Sequence, residues 1–151
     1  EHLLLAVPKS CSVNTRLQEY QIPIETIHDG SFLSPEVLSV PLNSFANAPF
    51  IILRSDNDTG KRALTICQEN NFTPHTIFRL DQQMTAYNIA CSGMGITFIG
   101  DLLLASAPAT SELIFYKLPG KNCNRNVSFY WKKGRYISRA MEEFLKIALP
   151  Q

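Results

Sequence analysis

The stretch that decides the fold of this chain is Leu80-Asp-Gln-Gln-Met-Thr-Ala-Tyr-Asn-Ile-Ala-Cys-Ser-Gly-Met-Gly-Ile-Thr-Phe-Ile-Gly-Asp101. Its first half predicts a helix, because apolar residues recur at spacings of three and four along one face. These residues are Tyr87, Ala90, Cys91 and Met94. We expect the side chain of Asp81 to cap the start of this helix by accepting hydrogen bonds from its first free N–H groups.

The second half of the stretch predicts a turn followed by a buried strand. Gly93 and Gly95 supply the left-handed or close-packed backbone that ends a helix, and the apolar run from Ile96 to Ile99 follows at once. A strand that follows a helix so closely is typical of a parallel sheet, and such sheets bind ligands at the ends of their strands. The stretch therefore predicts a cleft.

The rest of the chain alternates between strand and helix patterns. Further strands are expected at residues 3–7, 50–53, 76–80, 112–118 and 127–131. Further helices are expected at residues 59–70, at 102–105 behind the cap Asp101, and from Ser138 onward, with one helical turn near 42–46. The segment from Lys9 to Asn47 is expected to be mostly a long surface excursion, because proline and polar residues break its periodicity. This order predicts an α/β sandwich with a mostly parallel sheet.

Two of these helices have identifiable inner faces. The helix at 59–70 presents Ala63, Ile66 and Cys67 on one side, and Asn71 is expected to end it in a left-handed conformation with Phe72 packing back. The last helix carries an apolar face that is expected to point inward. This face consists of Met141, Phe144, Leu145 and Ala148.

Composition indicates a single unit with a real core, since the chain has 151 residues of which 45% are hydrophobic. Lys and Arg number 14 against 13 Asp and Glu, so charge gives no reason to expect nucleic-acid binding by this segment. No run approaches the ~20 apolar residues of a membrane span. The four cysteines lie far apart, which favours reduced thiols and a cytoplasmic location. The chain opens directly on a strand pattern, which we interpret as a fragment of something longer.

Catalysis has no candidate mechanism in this sequence. The three histidines stand in separate segments, and none has a carboxylate or cysteine at the spacing of metal ligands. Nucleophile elbows, P-loops and dinucleotide-binding glycine patterns are absent from the sequence. Cys91 lies on the apolar stripe, which favours a buried structural thiol over a nucleophile. We therefore expect no enzyme activity, no cofactor and no metal.

Four stretches in the right order and spacing carry a resemblance that covers nearly the whole chain. They are Leu3-Leu-Leu-Ala-Val-Pro8, Pro49-Phe-Ile-Ile-Leu-Arg54, Gly93-Met-Gly-Ile-Thr-Phe-Ile99 and Tyr130-Trp-Lys-Lys-Gly-Arg-Tyr-Ile-Ser-Arg-Ala140. Through them the sequence resembles the C-terminal effector-binding domain of LysR-type transcriptional regulators. Each stretch alone is a weak signal, whereas the ordered set is specific.

The resemblance implies a fold like that of type II periplasmic binding proteins, with two lobes joined by two crossing strands. Residues 1–8 would form the first crossing strand, 49–118 the core of the second lobe, and 126–151 the return strand and C-terminal helix. Most of the first lobe and the DNA-binding helix-turn-helix would be absent. The terminal helix would then lose the core that it covers, so we expect this fragment to associate or to reposition that helix. The segment at 10–49 is longer than the connection usual in the family.

The resemblance also implies a set of effector contacts around the predicted cleft. They are Ser55, Asn57, Asp58 and Thr59 after one strand, Gln82 and Gln83 after the next, and Thr97 and Phe98 in the strand after the glycine pattern. Helix N-termini favour anions and hydrogen-bond acceptors, which supports such a site. Other interpretations stay open, because Asp58 and Asp81 fit as helix caps, the two glutamines as solvated first-turn residues and Phe98 as core.

As a function, the resemblance implies ligand sensing and oligomerisation in a LysR-type regulator, with a small polar or carboxylate effector in an interlobe cleft. The partners would be that effector, further copies in a homodimer or homotetramer, and DNA through a helix-turn-helix outside this chain. The alternative is a stand-alone solute-binding protein of a transport system. A third possibility is a domain that binds no small molecule and serves mainly in assembly.

Overall fold

The computed structural model describes residues 1–134 and 136–149, so Arg135, Pro150 and Gln151 lie outside the described residues. The strands are β1 (Leu3–Pro8), β2 (Gln21–Ile22), β3 (Pro49–Leu53), β4 (His75–Leu80), β5 (Ile96–Gly100) and β6 (Leu113–Lys117). The α-helices are α1 (Ile24–His28), α2 (Asp58–Glu69), α3 (Gln83–Cys91), α4 (Asp101–Leu104) and α5 (Arg139–Ala148). Short 3₁₀ helices are formed by Ser12–Arg16, Gln18–Tyr20, Ser31–Leu33, Leu42–Phe45 and Lys121–Cys123.

The strands form one mixed sheet in the order β2-β6-β1-β5-β3-β4. Strand β3 runs parallel to β4 and β5, whereas β1 runs antiparallel to β5 and β6, and β2 antiparallel to β6. The α/β class is confirmed, but a parallel arrangement holds only among β3, β4 and β5. A short buried apolar run has the same pattern in either direction, so the sequence could not reveal that β1 is reversed.

Strand β1 lies in the middle of the sheet, and all six of its residues are buried. Its alternate side chains enter two separate cores, because successive residues of a strand face opposite sides. Leu3 and Leu5 pack in the core that contains Ile66 of α2, and Leu4 and Ala6 pack in the core that contains Tyr87 of α3. The sheet is therefore covered on both faces.

The segment from Lys9 to Asn47 is not the surface excursion that its composition predicts. It contributes strand β2 to the sheet edge, helix α1 and several core residues. The buried apolar side chains are Leu17, Ile22, Ile27, Phe32, Val40, Leu42 and Phe45. They escaped prediction because they come singly between polar residues and show no period. The expected helical turn near 42–46 is confirmed as the 3₁₀ helix Leu42–Phe45.

Helix ends agree with the sequence at several points. Ala63, Ile66 and Cys67 are buried on α2, and Asn71 has a φ of 61° with the amide of Phe72 bonded back to the Cys67 carbonyl. Gly93 has a φ of 82° after α3. On α3 the buried residues are Ala86, Tyr87 and Ala90. Met94 lies beyond the helix end and is half exposed, so its place on the apolar face is wrong.

The C-terminal part differs more strongly from expectation. Residues 127–131 form no strand, because no other described strand lies beside them to accept their hydrogen bonds. Helix α5 begins as predicted, with the Ser138 hydroxyl accepting from the amide of Met141 at 3.3 Å. Its apolar face is not packed inward: no residue of α5 is buried, and Phe144 contacts only the ring of Phe129 among the aromatic pairs of the described residues. Association through this face stays a prediction.

Gly60 is required by the close packing of α2 on the end of β3. A Cβ atom placed there would lie 2.7 Å from the carbonyl carbon of Leu53, with the carbonyl oxygens of Leu53 and Arg54 closer still. Alanine is favoured over glycine in helices by about 0.8–1.0 kcal/mol, but overlap in a packed region costs about 1–3 kcal/mol. The steric overlap therefore outweighs the gain in helix propensity, and alanine at position 60 destabilises the fold.

We predict that Gly60→Ala lowers the free energy of unfolding by at least about 1 kcal/mol, measured by urea denaturation. Lys61→Ala changes a neighbouring exposed helical residue and should stay within about 0.5 kcal/mol of the parent. A Gly60→Ala variant that is more stable than the parent would show that α2 has room at this position.

Candidate functional site

Four chain segments converge at one edge of the sheet. Strands β3, β4 and β5 are parallel and end at the same edge, and the start of β1 joins them because Leu3 pairs with Gly100. We call this the carboxyl edge. It consists of residues 1–2, 54–59, 81–83 and 100–101.

Gln83 ties three of these segments together at the start of α3. Its Nε2 donates to the hydroxyl of Thr59 at 2.9 Å, and its Oε1 accepts from the amide of Gly100 at 3.1 Å. Thr59 is buried. The predicted contacts Gln83 and Thr59 thus lie together. Both the nitrogen and the oxygen of the Gln83 side-chain amide already have protein partners.

Asn57, not Asp58, caps helix α2. Its Oδ1 accepts from the amide of Thr59 at 2.9 Å, and its Nδ2 donates to the carbonyl of Asp81 at 3.4 Å. Asp58 is the first helical residue, and its carboxylate points to arginine side chains instead. The cap interpretation of Asp58 is therefore wrong, because an extended Asn57 stands one residue earlier in the cap position.

Asp81 is not a cap either. Helix α3 begins at Gln83, and the N-cap residue is Gln82, which makes no side-chain cap bond. The Asp81 carboxylate lies 3.2 Å from Nε of Arg54, and both side chains are well exposed, so the pair contributes little to stability. Gln82 and Ser55 are exposed, and their side chains make no hydrogen bond within the described residues.

Thr97 and Phe98 lie inside the protein. The Thr97 hydroxyl donates to the carbonyl of Ile51 at 3.0 Å, and the ring of Phe98 stacks on Phe50 at 6.0 Å. Both residues are almost completely buried. They support the sheet beneath the edge, and neither side chain is brought to its surface.

A cluster of four charges beside this edge was not predicted from the sequence. Asp58 pairs with Arg125 at 3.0 Å and with Arg62 at 3.8 Å, and Glu1 pairs with both arginines, at 3.7 Å from Arg62. Burial opposes the charged form of Arg125, but the two carboxylates outweigh it and raise the pKa of Arg125 above its ordinary value. Only the four-residue spacing of Asp58 and Arg62 could have signalled this cluster.

His2 and Asp101 form a second polar link at the edge. The Asp101 carboxylate accepts from the backbone amide of His2 at 3.0 Å, from the amide of Leu102 at 2.7 Å, and contacts Nδ1 of His2 at 2.9 Å. Burial alone would raise the pKa of Asp101, but these hydrogen bonds outweigh it and hold that pKa below its ordinary value. The link fixes the start of β1 to the start of α4.

The edge offers hydrogen-bond donors and acceptors. Its exposed side chains are amides, hydroxyls, carboxylates and guanidinium groups. Burial raises the pKa of the Cys67 and Cys123 thiols to about 12, with the charges of Arg62 and Glu69 also acting on Cys123. The structure shows no group of three or more possible metal ligands in its described part. Such an arrangement is suited to binding a polar molecule.

The chain belongs to the LysR substrate binding domain family, since the model of that family matches residues 32–151. The first 31 residues, with strand β1, lie outside the matched region. The family is one of regulatory ligand-binding domains. None of the described helices combines the length and the apolar character needed to cross a membrane.

Two curated relatives come from Bacillus subtilis (strain 168). The HTH-type transcriptional regulator YcgK is 26% identical over 110 residues, which are 72% of this chain and 33% of that protein. The HTH-type transcriptional regulator YybE is 26% identical over 106 residues, which are 70% of this chain and 35% of that protein. The chain therefore spans about a third of the length of these relatives.

Solved structures of low sequence identity share the fold. The regulatory domain of Synechocystis PCC6803 CcmR in complex with 2-PG matches with a TM-score of 0.65 and 14% identity, over 97% of this chain and 60% of that one. The BenM effector binding domain with its effector benzoate matches with a TM-score of 0.53 and 16% identity, over 78% of this chain and 45% of that one. The effector binding domain of QuiR in complex with shikimate matches with a TM-score of 0.51 and 18% identity, over 99% of this chain and 60% of that one.

The low pKa of Asp101 leads to a pH-dependent stability. A carboxyl group whose pKa is lower in the folded state stabilises the fold above its unfolded pKa of about 3.9, and this stability is lost as the pH falls through the folded pKa. We predict that Asp101→Asn lowers the free energy of unfolding by about 1–2 kcal/mol at neutral pH. The difference from the parent should shrink below about pH 4.

Denaturant unfolding at a series of pH values measures this difference directly. The control is Asp56→Asn, which removes an exposed carboxylate that forms no ion pair within the described residues. A constant difference for Asp101→Asn across the acid range would contradict the role given to its hydrogen bonds.

Proposed function

We propose that this chain is the ligand-sensing part of a LysR-type transcriptional regulator and that it binds a small polar or carboxylate effector at the carboxyl edge. The observation that carries the proposal is the convergence of the starts of α2 and α3 at one edge, in a chain of this family. The helix-turn-helix regulators among its relatives favour a regulator over a transport-linked solute-binding protein. Such a regulator would act in the cytoplasm, where it meets DNA.

In this proposal residues 1–8 are the first crossing strand, 49–118 the core of the second lobe and 126–151 the return connection with the C-terminal helix. The two connections are supported by the pairing of Glu1 with Arg125. The amino group of Glu1 donates to the Arg125 carbonyl and the amide of Arg125 donates to the Glu1 carbonyl, each at 2.9 Å, and His2 bridges Asn124 in the antiparallel sense. The first lobe and the DNA-binding helix-turn-helix would belong to other parts of the protein.

The effector would meet the edge from the side that the first lobe would occupy. Ser55 and Gln82 are the proposed direct contacts, because their side chains are exposed and have no partner within the described residues. Asn57, Asp58, Thr59 and Gln83 would shape the pocket through the bonds that they already make, and Thr97 and Phe98 would support it from below. The presence of benzoate in BenM and shikimate in QuiR makes small carboxylates reasonable first probes.

We expect that at least one of benzoate, 2-PG, shikimate and related carboxylates binds the full-length protein, as measured by calorimetric titration. The double variant Ser55→Ala and Gln82→Ala should weaken binding about 5- to 150-fold, since it removes two hydrogen bonds that are each worth about 0.5–1.5 kcal/mol.

The control is Ser92→Ala, which removes an exposed hydroxyl at the opposite end of α3 and should leave the affinity unchanged. An affinity that is the same in the double variant and the parent would remove this site. Weakening by Ser92→Ala alone would instead place the ligand at the other edge.

The regulator would act by a population shift. An effector that binds one arrangement of the lobes more tightly favours that arrangement, and couplings of about 1–3 kcal/mol are typical. The change would reach DNA through a homodimer or homotetramer. We propose the outer edge of β4 as one assembly surface, because no described strand pairs with it and it exposes Ile77 and Phe78.

Phe78→Lys should therefore weaken self-association of the full-length protein about tenfold or more, measured by sedimentation equilibrium, because a charge would be buried at the interface. Leu38→Lys alters an apolar residue that is half exposed and lies away from β4, and it should associate like the parent. Equal association of Phe78→Lys and the parent would exclude this edge from the assembly.

A further inference from the structure

We infer that the four-charge cluster of Glu1, Asp58, Arg62 and Arg125 is a clamp that couples the start of α2 to the two connections of the lobe. We call these four residues the edge clamp. The inference rests on the proposed function, because it gives the edge clamp the task of passing on the state of the effector pocket. In this view Arg62, Arg125 and Asp58 position the start of α2 relative to the two connections.

The edge clamp joins three parts of the chain that are distant in sequence. Glu1 precedes β1, Asp58 and Arg62 lie on the first turns of α2, and Arg125 follows the last 3₁₀ helix. Arg62 holds this last part of the chain in a second way, because its guanidinium donates to the carbonyl of Asn122 at 3.0 Å and of Cys123 at 2.7 Å.

Gly100 makes room for the edge clamp at the end of β5. A Cβ atom on Gly100 would lie 3.0 Å from the carboxyl carbon of Glu1, and still closer to one of its oxygens. The Glu1 carboxylate is thereby placed between the end of β5 and the two arginines. Its position depends on a close approach that few residues other than glycine permit.

The four members differ in their exposure, and this difference decides which ion pair can change. The side chains of Glu1 and Arg62 are only 6% and 11% exposed, so removing the partner of either leaves a buried charge at high cost. The Asp58 carboxylate is 59% exposed, so water can replace its arginine partner at low cost. Asp58 is therefore the exchangeable member of the edge clamp.

Asp58 also lies between two residues of the proposed pocket, the cap Asn57 and the buried Thr59. An anionic group of an effector in that pocket would compete with Asp58 for the guanidinium of Arg125. Loss of the Asp58–Arg125 pair would loosen the hold of α2 on the paired backbones of Glu1 and Arg125, leaving only the contacts of Arg62 with Glu1, Asn122 and Cys123. The edge clamp thus gives a physical route from effector charge to the connections between the lobes.

Hydrogen exchange of this chain without any ligand tests the inference separately from effector binding. In the parent, the amide of Arg125 is protected by its bond to the Glu1 carbonyl. We expect Asp58→Asn to speed exchange in the peptide covering 122–127 by roughly two- to fivefold, the range of an exposed ion pair. The amides of β1 should keep their parent rates, which a general loss of stability would not allow.

Asp58→Glu keeps the charge and should restore the protection, and Asp56→Asn should exchange like the parent. Parent-like exchange in Asp58→Asn, or equal exchange in Asp58→Asn and Asp58→Glu, would overturn the inference. If Asp58→Asn does not fold, the parent decides: exchange at 122–127 should rise with added NaCl, and exchange independent of salt would refute the edge clamp. A failure here leaves the calorimetric result on the effector untouched.

Discussion

The buried strand β1 is the constraint on which the rest of the structure depends. It pairs with β5 on one side and β6 on the other, and so joins the parallel strands to the antiparallel ones. Its side chains pack in both cores, so the core on either face of the sheet depends on it. Because β1 runs against β5, its start lies beside the end of β5. This direction brings Glu1 and His2 to the edge where the parallel strands end.

That reversal turns a common sheet edge into a polar site. The ends of the parallel strands alone would contribute the loop before α2 and the start of α3. The start of β1 adds a buried carboxylate and the link from His2 to Asp101. Gln83 then fixes the spacing between the two helix starts. The resulting edge combines a rigid frame with a few exposed donors and acceptors, which suits a domain that binds a ligand and reports on it.

Local signals in the sequence predicted local structure well. The left-handed Asn71 and Gly93, the cap Ser138 and the apolar run of β5 depend on a few neighbouring residues, and the structure agrees at each. The caps at Asp58 and Asp81 were wrong, because an aspartate suits several positions near a helix start. The strand predicted at 127–131 was wrong. Its residues have the sequence pattern of a strand, but a strand forms only where a neighbouring strand accepts its hydrogen bonds, and none of the described strands lies beside it.

The candidate site was harder to predict, since it is made by contacts between distant segments. Gln83 meets Thr59 across 24 positions, and Arg125 meets Asp58 across 67. No local pattern marks such pairs, and the buried place of Thr97 and Phe98 depends on the strands beside β5. The family resemblance predicted that the loops before α2 and α3 lie together, and the structure shows them in contact. The contacts of individual side chains depend on the packed structure.

We propose that the carboxyl edge is the ligand site of this chain. It is tested most directly by ¹H–¹⁵N NMR spectra of the chain during titration with the small carboxylate that binds best in calorimetry. We expect the largest amide shift changes at residues 54–59, 81–83 and 100–101. Largest changes at residues 8–11 and 92–95, at the opposite edge of the sheet, would contradict it.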